Sequence, residues 1–183
     1  NKAFPKKNTE KITLGVSSIF SYSDKKEKII AFMPRKLKED VNQIYNILQK
    51  NTILKDWKWV PIDNCSESEV AEILKKSAIF LSFNYNEGFG LPPVEAMACG
   101  CYVIGYAGNA GNEYLKEEFS SKIADRNIVD FTEEIKEKAK LFNDNQLNLI
   151  ALGKMASDFV IMNYNLQTEE RTTIRAFNNL TKE

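Results

Sequence analysis

The 183-residue sequence contains no histidine, the residue most often used as a general base and as a metal ligand. Neither a Ser–His nor a Cys–His nucleophile pair is therefore available. No apolar run approaches the ~20 residues of a membrane-spanning helix. The 25 basic side chains balance 25 acidic ones, so nucleic acid is not an expected partner. Chemistry in this chain must rely on carboxylates, lysine, arginine, tyrosine, cysteine or backbone groups.

Cysteine is also scarce, and its spacing gives no sign of a disulfide framework or a zinc site. The three cysteines are Cys65, Cys99 and Cys101, an odd number without a C-x-x-C pair. Cys99 and Cys101 lie in an apolar run and are expected to be buried small hydrophobic residues. A reducing compartment agrees with this usage. We therefore expect a cytoplasmic location, and peripheral attachment to the inner face of a membrane remains open.

Apolar runs that alternate with amphipathic segments indicate the fold class. The strands are predicted at 29–33, 57–62, 78–83, 101–106 and, as an edge strand, 121–124. The helices are predicted to begin near residues 37, 66, 92, 112, 130, 147 and 166, with capping boxes at Ser66-x-x-Glu69 and Asp130-x-x-Glu133. Residues 1–28 are predicted to be a polar linker with a short strand at 12–16. Residues 29–183 are predicted to form a doubly wound, mostly parallel α/β sheet with terminal helices.

A segment of fifteen residues after the third buried run, Asn86 to Gly100, carries the strongest functional signal. Gly88 and Gly90 allow the backbone to come close to a ligand, and a helix is expected to begin near Pro92. Backbone N–H groups at the start of a helix favour a phosphate or a sugar hydroxyl. Glu87 before this turn and Glu95 after it can accept hydrogen bonds from hydroxyl groups. The segment therefore predicts a site for a phosphorylated sugar compound.

The run from Glu87 to Gly100 resembles the Glu-x7-Glu motif of retaining glycosyltransferases with the GT-B fold, group 1 or family 4. Such enzymes have two Rossmann-like domains that face each other across a cleft, and the order of elements here is similar to the donor domain alone. The resemblance implies that Glu87 holds hydroxyls of the donor sugar. It also implies that the backbone of Gly88, Phe89, Gly90 and Leu91 contacts sugar and diphosphate, and that Glu95 holds the ribose hydroxyls.

A basic pair follows the first buried strand, in the sequence Met33-Pro34-Arg35-Lys36. Cations at the carboxyl end of a strand can neutralise a diphosphate. The family has a Gly-Arg here, with a Lys about five residues later, and both stabilise the leaving nucleoside diphosphate. Arg35 matches that arginine, whereas Pro34 replaces the glycine and Asp40 stands at the lysine position. Lys36 or Lys38 could replace the lysine, and we select Arg35 and Lys36 together with Glu87 as candidate catalytic residues.

Two further segments resemble parts of the donor site. The glycine-containing turn at 105–113, with Gly108, is similar to a loop that lies near the donor phosphates in the family. The backbone around Ile62, in 60–63, stands where such domains usually hold the nucleotide base. One departure precedes the motif, because many relatives have a Pro-Ser pair where this chain reads 82–86 as Ser-Phe-Asn-Tyr-Asn. The pocket for the sugar is therefore expected to differ.

These features predict the donor-binding domain of a retaining glycosyltransferase that acts on a nucleoside diphosphate sugar. The acceptor is expected to be a glycan or a lipid-linked molecule in surface polysaccharide or glycoconjugate synthesis. No metal is expected, since Arg35, a lysine and the helix dipole can neutralise the diphosphate and no Asp-x-Asp site occurs. The sequence begins at Asn1 and has the size of one Rossmann-like domain, so an N-terminal acceptor domain is expected to be missing. In the family, that domain often supplies a histidine.

Three alternatives remain. The first is a non-catalytic module that binds a nucleotide or a sugar, and the second is a GT-B relative that epimerises or hydrolyses a nucleotide sugar. The third is a receiver-like signalling domain, which requires an acidic cluster after the first strand. The basic pair Arg35-Lys36 at that place argues against the third alternative.

Overall fold

The computed structural model describes residues 9–85 and 87–181 and contains one five-stranded parallel sheet. All strands pair in parallel, so their carboxyl ends lie at one edge of the sheet. The predicted doubly wound, Rossmann-like α/β fold is confirmed. The strands are β1 (Glu27–Phe32), β2 (Lys58–Pro61), β3 (Ser77–Phe83), β4 (Tyr102–Tyr106) and β5 (Ser120–Ile123).

The order of the strands across the sheet is β2-β1-β3-β4-β5. From β1 the chain adds β2 on one side of the sheet, and it then adds β3, β4 and β5 in order on the other side of β1. The strand order therefore reverses between β1 and β3, and this position is the topological switch point of the sheet. Ligands of open α/β sheets bind at such a point, beyond the carboxyl ends of the strands. The fold therefore directs attention to the loops that follow β1 and β3.

Helices cover both faces of the sheet and bury two apolar clusters. One cluster packs α1 (Lys38–Leu48) and α4 (Ile128–Asp144) against one face, with Ile44 and Phe131 fully buried. The other packs α2 (Glu67–Lys76), α3 (Leu91–Ala98) and α5 (Gln146–Asn163) against the opposite face, with Leu74 and Met97 fully buried. A last helix, α6 (Leu166–Leu180), follows α5. Among the described residues, no helix is both long enough and apolar enough to cross a bilayer.

The ends of the helices confirm one predicted capping box and correct another. Ser66 and Glu69 exchange side-chain and backbone hydrogen bonds at the start of α2, as predicted. At α4 the cap is Asn127, whose side chain accepts from the N–H of Asp130 at 3.1 Å, so Asp130 lies inside the helix. The helix predicted near residue 112 is a single turn of 3-10 helix, Gly111–Glu113.

The segment before β1 packs against the carboxyl-terminal helices, and no described residue of 9–26 belongs to a strand. The strand predicted at 12–16 is reduced to a single bridge between Val16 and Asn165. The N–H of Val16 donates to the carbonyl of Tyr164 at 2.8 Å, and that of Gly15 donates to the Glu169 carboxylate at 2.9 Å. The apolar side chains of Ile12 and Leu14 stay exposed, so this segment is held by backbone hydrogen bonds and not by a place in the sheet.

Lys26 is a buried cation at the start of β1, and it joins two helix ends. Its ammonium donates to the carbonyl of Leu74 in α2 at 3.1 Å and to that of Cys99, just after α3, at 2.7 Å. Carbonyls in the last turn of a helix lack partners within the helix, and the negative end of the helix dipole attracts a cation. Lys26 therefore satisfies the carboxyl ends of α2 and α3 together.

Candidate functional site

A lysine and a glutamate join the two loops that flank the switch point. Lys36 follows β1, Glu87 follows β3, and the Lys36 ammonium forms a hydrogen-bonded ion pair with the Glu87 carboxylate. Both side chains are about one-third exposed, at 32%. The pair places one cation and one anion beyond the carboxyl ends of adjacent strands, where the fold favours a ligand. Two of the predicted catalytic residues therefore lie together.

The loop of residues 87–90 leads directly into α3, and its two glycines have different roles. Gly90 has φ +76° and ψ 83°, in the left-handed region. A Cβ at Gly90 would lie 2.1 Å from the Asn84 amide nitrogen. Around Gly88, no atom of residues 9–85 and 87–181 outside its chain neighbours lies within 4 Å of the place where a Cβ would stand. Glycine is thus required by the backbone at Gly90, whereas at Gly88 it leaves open space in front of the loop.

A buried tyrosine supports this loop from inside the molecule. The Tyr114 hydroxyl donates to the carbonyl of Phe89 at 2.8 Å and lies 3.4 Å from the carbonyl of Gly90. The Asn84 amide donates to the same hydroxyl at 3.5 Å. The ring of Tyr114 meets that of Phe89 edge-on, with 5.3 Å between the ring centroids. The loop therefore rests on both polar and aromatic contacts.

Glu95 lies in the middle of α3, half-buried on the side of α2. Burial raises the pKa of Glu95 to about 7, and the negative charge of Glu67 in the first turn of α2 contributes in the same direction. The described residues supply no hydrogen-bond donor to its carboxylate. A half-buried carboxyl group without a partner can be stabilised by a ligand that donates hydroxyl groups.

Arg35 stands on the other side of the switch point, towards β2. Its Nε lies 3.3 Å from the Asp63 carboxylate, and its side chain is 72% exposed. An exposed pair of this kind contributes at most about 1 kcal/mol, so the guanidinium can leave Asp63 at little cost. A cleft of about 200 Å³ lies beside this pair and is lined by Met33, Arg35, Ile62, Asp63, Asn64, Cys65 and Val70.

Ile62, selected from the sequence for contact with a base, is buried at the bottom of this cleft. Its N–H donates to the carbonyl of Phe32 at 2.8 Å and so extends the pairing of β1 and β2. That N–H is used within the fold, and the carbonyl of the next residue, Asp63, accepts a hydrogen bond from the Cys65 thiol at 3.3 Å. The assignment of Ile62 stays a prediction.

Asp40, which occupies the position of the family lysine, has a structural partner. Its carboxylate is buried and accepts a hydrogen bond from the Tyr106 hydroxyl at 2.8 Å. Burial and this carboxylate raise the pKa of Tyr106 far above its usual range. Asp40 therefore ties the start of α1 to the end of β4, while Lys38 is exposed. Of the two replacement lysines named from the sequence, Lys36 is the one that contacts Glu87.

The loop after β4 contacts the loop after β3, which brings Gly108 to the site. The N–H of Asn109 donates to the carbonyl of Glu87 at 3.1 Å. Gly108 has φ +55°, and a Cβ there would lie 2.9 Å from the carbonyl oxygen of Asn84. The hydroxyl of Ser82 is buried nearby and has no hydrogen-bond partner among residues 9–85 and 87–181. Within those residues, no group of three or more His, Cys, Asp or Glu side chains could hold a metal ion.

Asn84 and Tyr114 are the residues of this site that the sequence did not reveal. Tyr114 stands 25 residues after Phe89, which accepts its hydrogen bond, so no local pattern connects them. The one signal available was the replacement of the usual Pro-Ser pair by a sequence that contains Asn84. That departure predicts a different pocket but not the partner of Asn84.

The chain is similar to known glycosyltransferases in sequence and in structure. It matches the family model described as glycosyl transferases group 1 over residues 38–154. An alpha-1,6-glucosyltransferase of Actinobacillus pleuropneumoniae serotype 7 (strain AP76) is 31% identical over 93 residues, which cover 49% of this chain and 28% of that protein. The chain thus spans well under half of this relative's length.

Solved structures share the fold at low sequence identity. A TarM variant from S. aureus, solved in complex with fondaparinux, alpha-GlcNAc-glycerol and UDP, has a TM-score of 0.78 and 16% identity. The similarity covers 97% of this chain and 41% of that one. The C-terminal domain of a glycosyl transferase group 1 family protein, LpcC from Francisella tularensis, has a TM-score of 0.60 and 14% identity. In this case 87% of this chain and 100% of the other chain are covered.

Proposed function

Because the chain belongs to the glycosyl transferases group 1 family, we propose that it is the donor-binding domain of a retaining glycosyltransferase of family 4. The donor is a nucleoside diphosphate sugar, and the acceptor is a hydroxyl of a glycan or a lipid-linked glycan. The observation that carries this proposal is the Lys36–Glu87 pair at the switch point, directly before the glycine loop and the start of α3. The UDP bound in the TarM structure supports a nucleotide as part of the donor.

The proposed role of each site residue follows from its charge. Glu87 accepts hydrogen bonds from hydroxyls of the donor sugar, and Glu95 accepts those of the ribose, as the two ends of the Glu-x7-Glu motif. The backbone N–H groups of the loop bind the diphosphate. Arg35 and Lys36 stabilise the negative charge that develops when the bond between sugar and diphosphate breaks and the acceptor oxygen forms the new bond. The ion pairs of Arg35 and Lys36 in the ligand-free protein keep both cations close to this position.

A second domain completes the enzyme in this proposal. The last two helices expose large apolar side chains, which supports a surface covered by further polypeptide. These side chains are Ile161, Met162, Leu166, Ile174, Phe177 and Leu180. The 183-residue chain should therefore bind donor and turn over little. Equal transfer rates for the chain and for a whole protein that contains it would contradict the need for a second domain.

A binding panel tests the proposed donor class. Thermal unfolding with UDP, GDP, ADP and TDP, followed by calorimetry with the corresponding nucleotide sugars, should identify one base that raises the melting temperature. Glu87→Gln should reduce the affinity gained from the sugar of the nucleotide sugar relative to the nucleoside diphosphate, because the neutral amide keeps one acceptor oxygen but loses the negative charge and the second acceptor. Glu118→Gln changes an exposed glutamate outside the site and should behave as wild type. Absence of binding to every nucleotide would contradict the proposal.

One observation favours a non-catalytic nucleotide-sugar-binding module as a second candidate. Asp40 stands where the family has a lysine for the leaving group, and it is buried against Tyr106. If Lys36 does not replace that lysine, the domain binds a donor without supporting transfer. Glu87→Ala and Lys36→Ala, made in the whole protein, separate the two candidates. Transfer that is present in wild type and lost in both variants supports the enzyme, whereas absence of transfer in wild type supports the binding module.

A further inference from the structure

The start of α3 offers few N–H groups, because its second and third residues are prolines. The first residues of a helix normally present free N–H groups to an anion. Pro92 and Pro93 have no N–H. The N–H groups of Gly90 and Leu91 remain, and neither has a partner among residues 9–85 and 87–181. Any binding of a phosphate at this helix end therefore depends strongly on the direction in which these two N–H groups point.

The Tyr114 hydroxyl contacts the other side of the same two peptide units. It lies 2.8 Å from the carbonyl of Phe89 and 3.4 Å from the carbonyl of Gly90. In a planar trans peptide, the carbonyl of one residue and the N–H of the next point in opposite directions. A hydroxyl that holds these carbonyls inward thus directs the N–H groups of Gly90 and Leu91 away from the interior.

Tyr114 has little freedom to move. Its side chain is fully buried, and its ring meets the rings of Phe89 and Tyr164 with centroid distances of 5.3 Å and 6.5 Å. Burial raises the pKa of Tyr114 to about 12, so the hydroxyl keeps its proton and remains a donor. The Asn84 amide donates to the hydroxyl oxygen, which leaves the hydroxyl hydrogen for the carbonyl of Phe89.

We propose that Tyr114 is a positioning residue that directs the N–H groups of Gly90 and Leu91 towards the diphosphate of the donor, with Asn84 orienting its hydroxyl. This inference rests on the proposed function, because it assigns the source of diphosphate affinity within that site. It extends the site to a residue that touches no ligand and acts only through two carbonyls.

Tyr114→Phe removes the hydroxyl and keeps the ring. We expect the affinity for the nucleoside diphosphate that binds best among UDP, GDP, ADP and TDP to fall about tenfold, as expected when charge-assisted hydrogen bonds are misaligned. The affinity for the parent nucleoside, which has no phosphate, should change less than twofold. A merely structural role would weaken both ligands alike, so the ratio of the two affinities is the diagnostic quantity.

Tyr102→Phe is the matched control. Tyr102 is a buried tyrosine at the amino end of β4, far from the loop, and its hydroxyl is hydrogen-bonded to Ser121 at 2.8 Å. This variant loses a comparable hydrogen bond and should keep the wild-type ratio of affinities. A changed ratio in Tyr102→Phe would attribute the effect to general loosening and overturn the inference.

The outcomes separate this inference from the proposed function. Wild type that binds no nucleoside diphosphate contradicts the proposed function. Wild type that binds, with an unchanged ratio in Tyr114→Phe, contradicts the role of Tyr114 alone. If Tyr114→Phe shows no cooperative unfolding transition, Asn84→Ala decides, because it keeps every aromatic contact. It should lower diphosphate affinity about threefold with nucleoside affinity unchanged, and an unchanged ratio there would overturn the inference.

Discussion

The carboxylates of the two motif glutamates have different neighbouring charges. Glu87 is paired with Lys36, whereas Glu95 is half-buried on α3, faces the charge of Glu67 and has a pKa raised to about 7. Glu95, with a pKa of about 7, therefore changes its charge near neutral pH. A ribose bound at Glu95 donates hydroxyl groups, which favours the ionised carboxylate over the protonated one.

Donor affinity should consequently depend on pH. As pH falls below about 7, Glu95 takes up a proton that must be released on binding, so affinity should decrease by up to tenfold per pH unit. Calorimetry with a nucleotide sugar, whose diphosphate does not titrate in this range, measures the effect between pH 5 and pH 8. Glu95→Gln should bind more weakly at pH 8 and give a flat profile. A flat profile in wild type would exclude Glu95 as the ribose acceptor.

The same pKa has the opposite effect on the stability of the ligand-free protein. Because the folded-state pKa of Glu95 lies above the ordinary glutamate pKa of 4.5, the native state binds more protons than the unfolded state between these two pH values. Glu95 therefore makes its stabilising contribution below about pH 4.5 and loses it as pH rises to 7. Stability in the ligand-free protein and donor affinity should thus respond to pH with opposite signs at this residue.

Alanine at the two glycines of the loop should separate folding from binding. Gly90→Ala puts a side chain at φ +76° and 2.1 Å from the Asn84 amide, so it should lower the free energy of unfolding by about 2 kcal/mol or more. Gly88→Ala meets open space and should change stability by less than about 0.5 kcal/mol. Thermal unfolding measures the stability of each variant, and titration with the donor measures its affinity.

The expected pattern is a stable Gly88→Ala protein with weaker donor binding, because its methyl group enters the space in front of the loop. Unchanged donor affinity in Gly88→Ala would place the ligand elsewhere. The sequence predicts that both glycines matter but does not distinguish them. Their difference depends on Asn84 and Tyr114, whose positions follow from the packing of β3 against the loop after β4.

At the scale of elements, the strands follow from apolar runs that only a sheet covered on both faces can bury. Five of the six predicted strands occur, with bounds that differ by one to two residues at most ends, and the strand predicted at 12–16 does not form. The errors fall where local sequence competes with tertiary contacts. Backbone N–H groups of residues 13–16 hydrogen-bond to α6 and to the residue before its cap instead of to a strand. The turn at Gly111–Glu113 stops after one turn, and Tyr114 directly after it is buried in the interior.

Lys26 is the element-scale feature with the largest expected effect on stability. Lys26→Met removes a charged donor from two buried carbonyls that keep weaker donors, Ser77 N–H and the Cys101 thiol at Leu74 and Ser23 N–H at Cys99, so it should cost about 1–3 kcal/mol. Lys25→Met, at the exposed neighbouring position, is the matched control and should stay within about 0.5 kcal/mol of wild type. Urea unfolding compares the two. Equal stability of both variants would show that the carbonyls find other partners.

At the scale of the whole molecule, the net charge is zero, and the charged side chains at the carboxyl edge of the sheet form local ion pairs. Arg35 pairs with Asp63, and Lys36 pairs with Glu87. A negatively charged donor diphosphate must therefore replace Asp63 and Glu87 as the partner of Arg35 and Lys36. The long-range electrostatic attraction between the neutral protein and the donor is weak. Composition predicts the neutrality, but the pairing across the switch point follows from the strand order, which brings β1 and β3 together.

The aromatic rings behind the loop connect it to the segment that precedes β1. Phe89 contacts Tyr164 with a centroid distance of 5.3 Å, and the carbonyl of Tyr164 accepts the N–H of Val16. We therefore expect a ligand that restrains the loop to restrain the N-terminal segment as well, and such linkage between two sites is reciprocal. The protease sensitivity of this segment should therefore change when a nucleotide binds.

Limited proteolysis can measure this linkage. Lys11 is an exposed trypsin site in the segment, and a saturating nucleoside diphosphate should slow cleavage after it severalfold. Phe89→Leu interrupts the row of rings and should abolish the protection while the fold persists. Cleavage after Lys140, exposed on α4 and apart from the rings, provides the internal reference. With this linkage, the segment that precedes β1 should sense whether the carboxyl edge of the sheet is occupied.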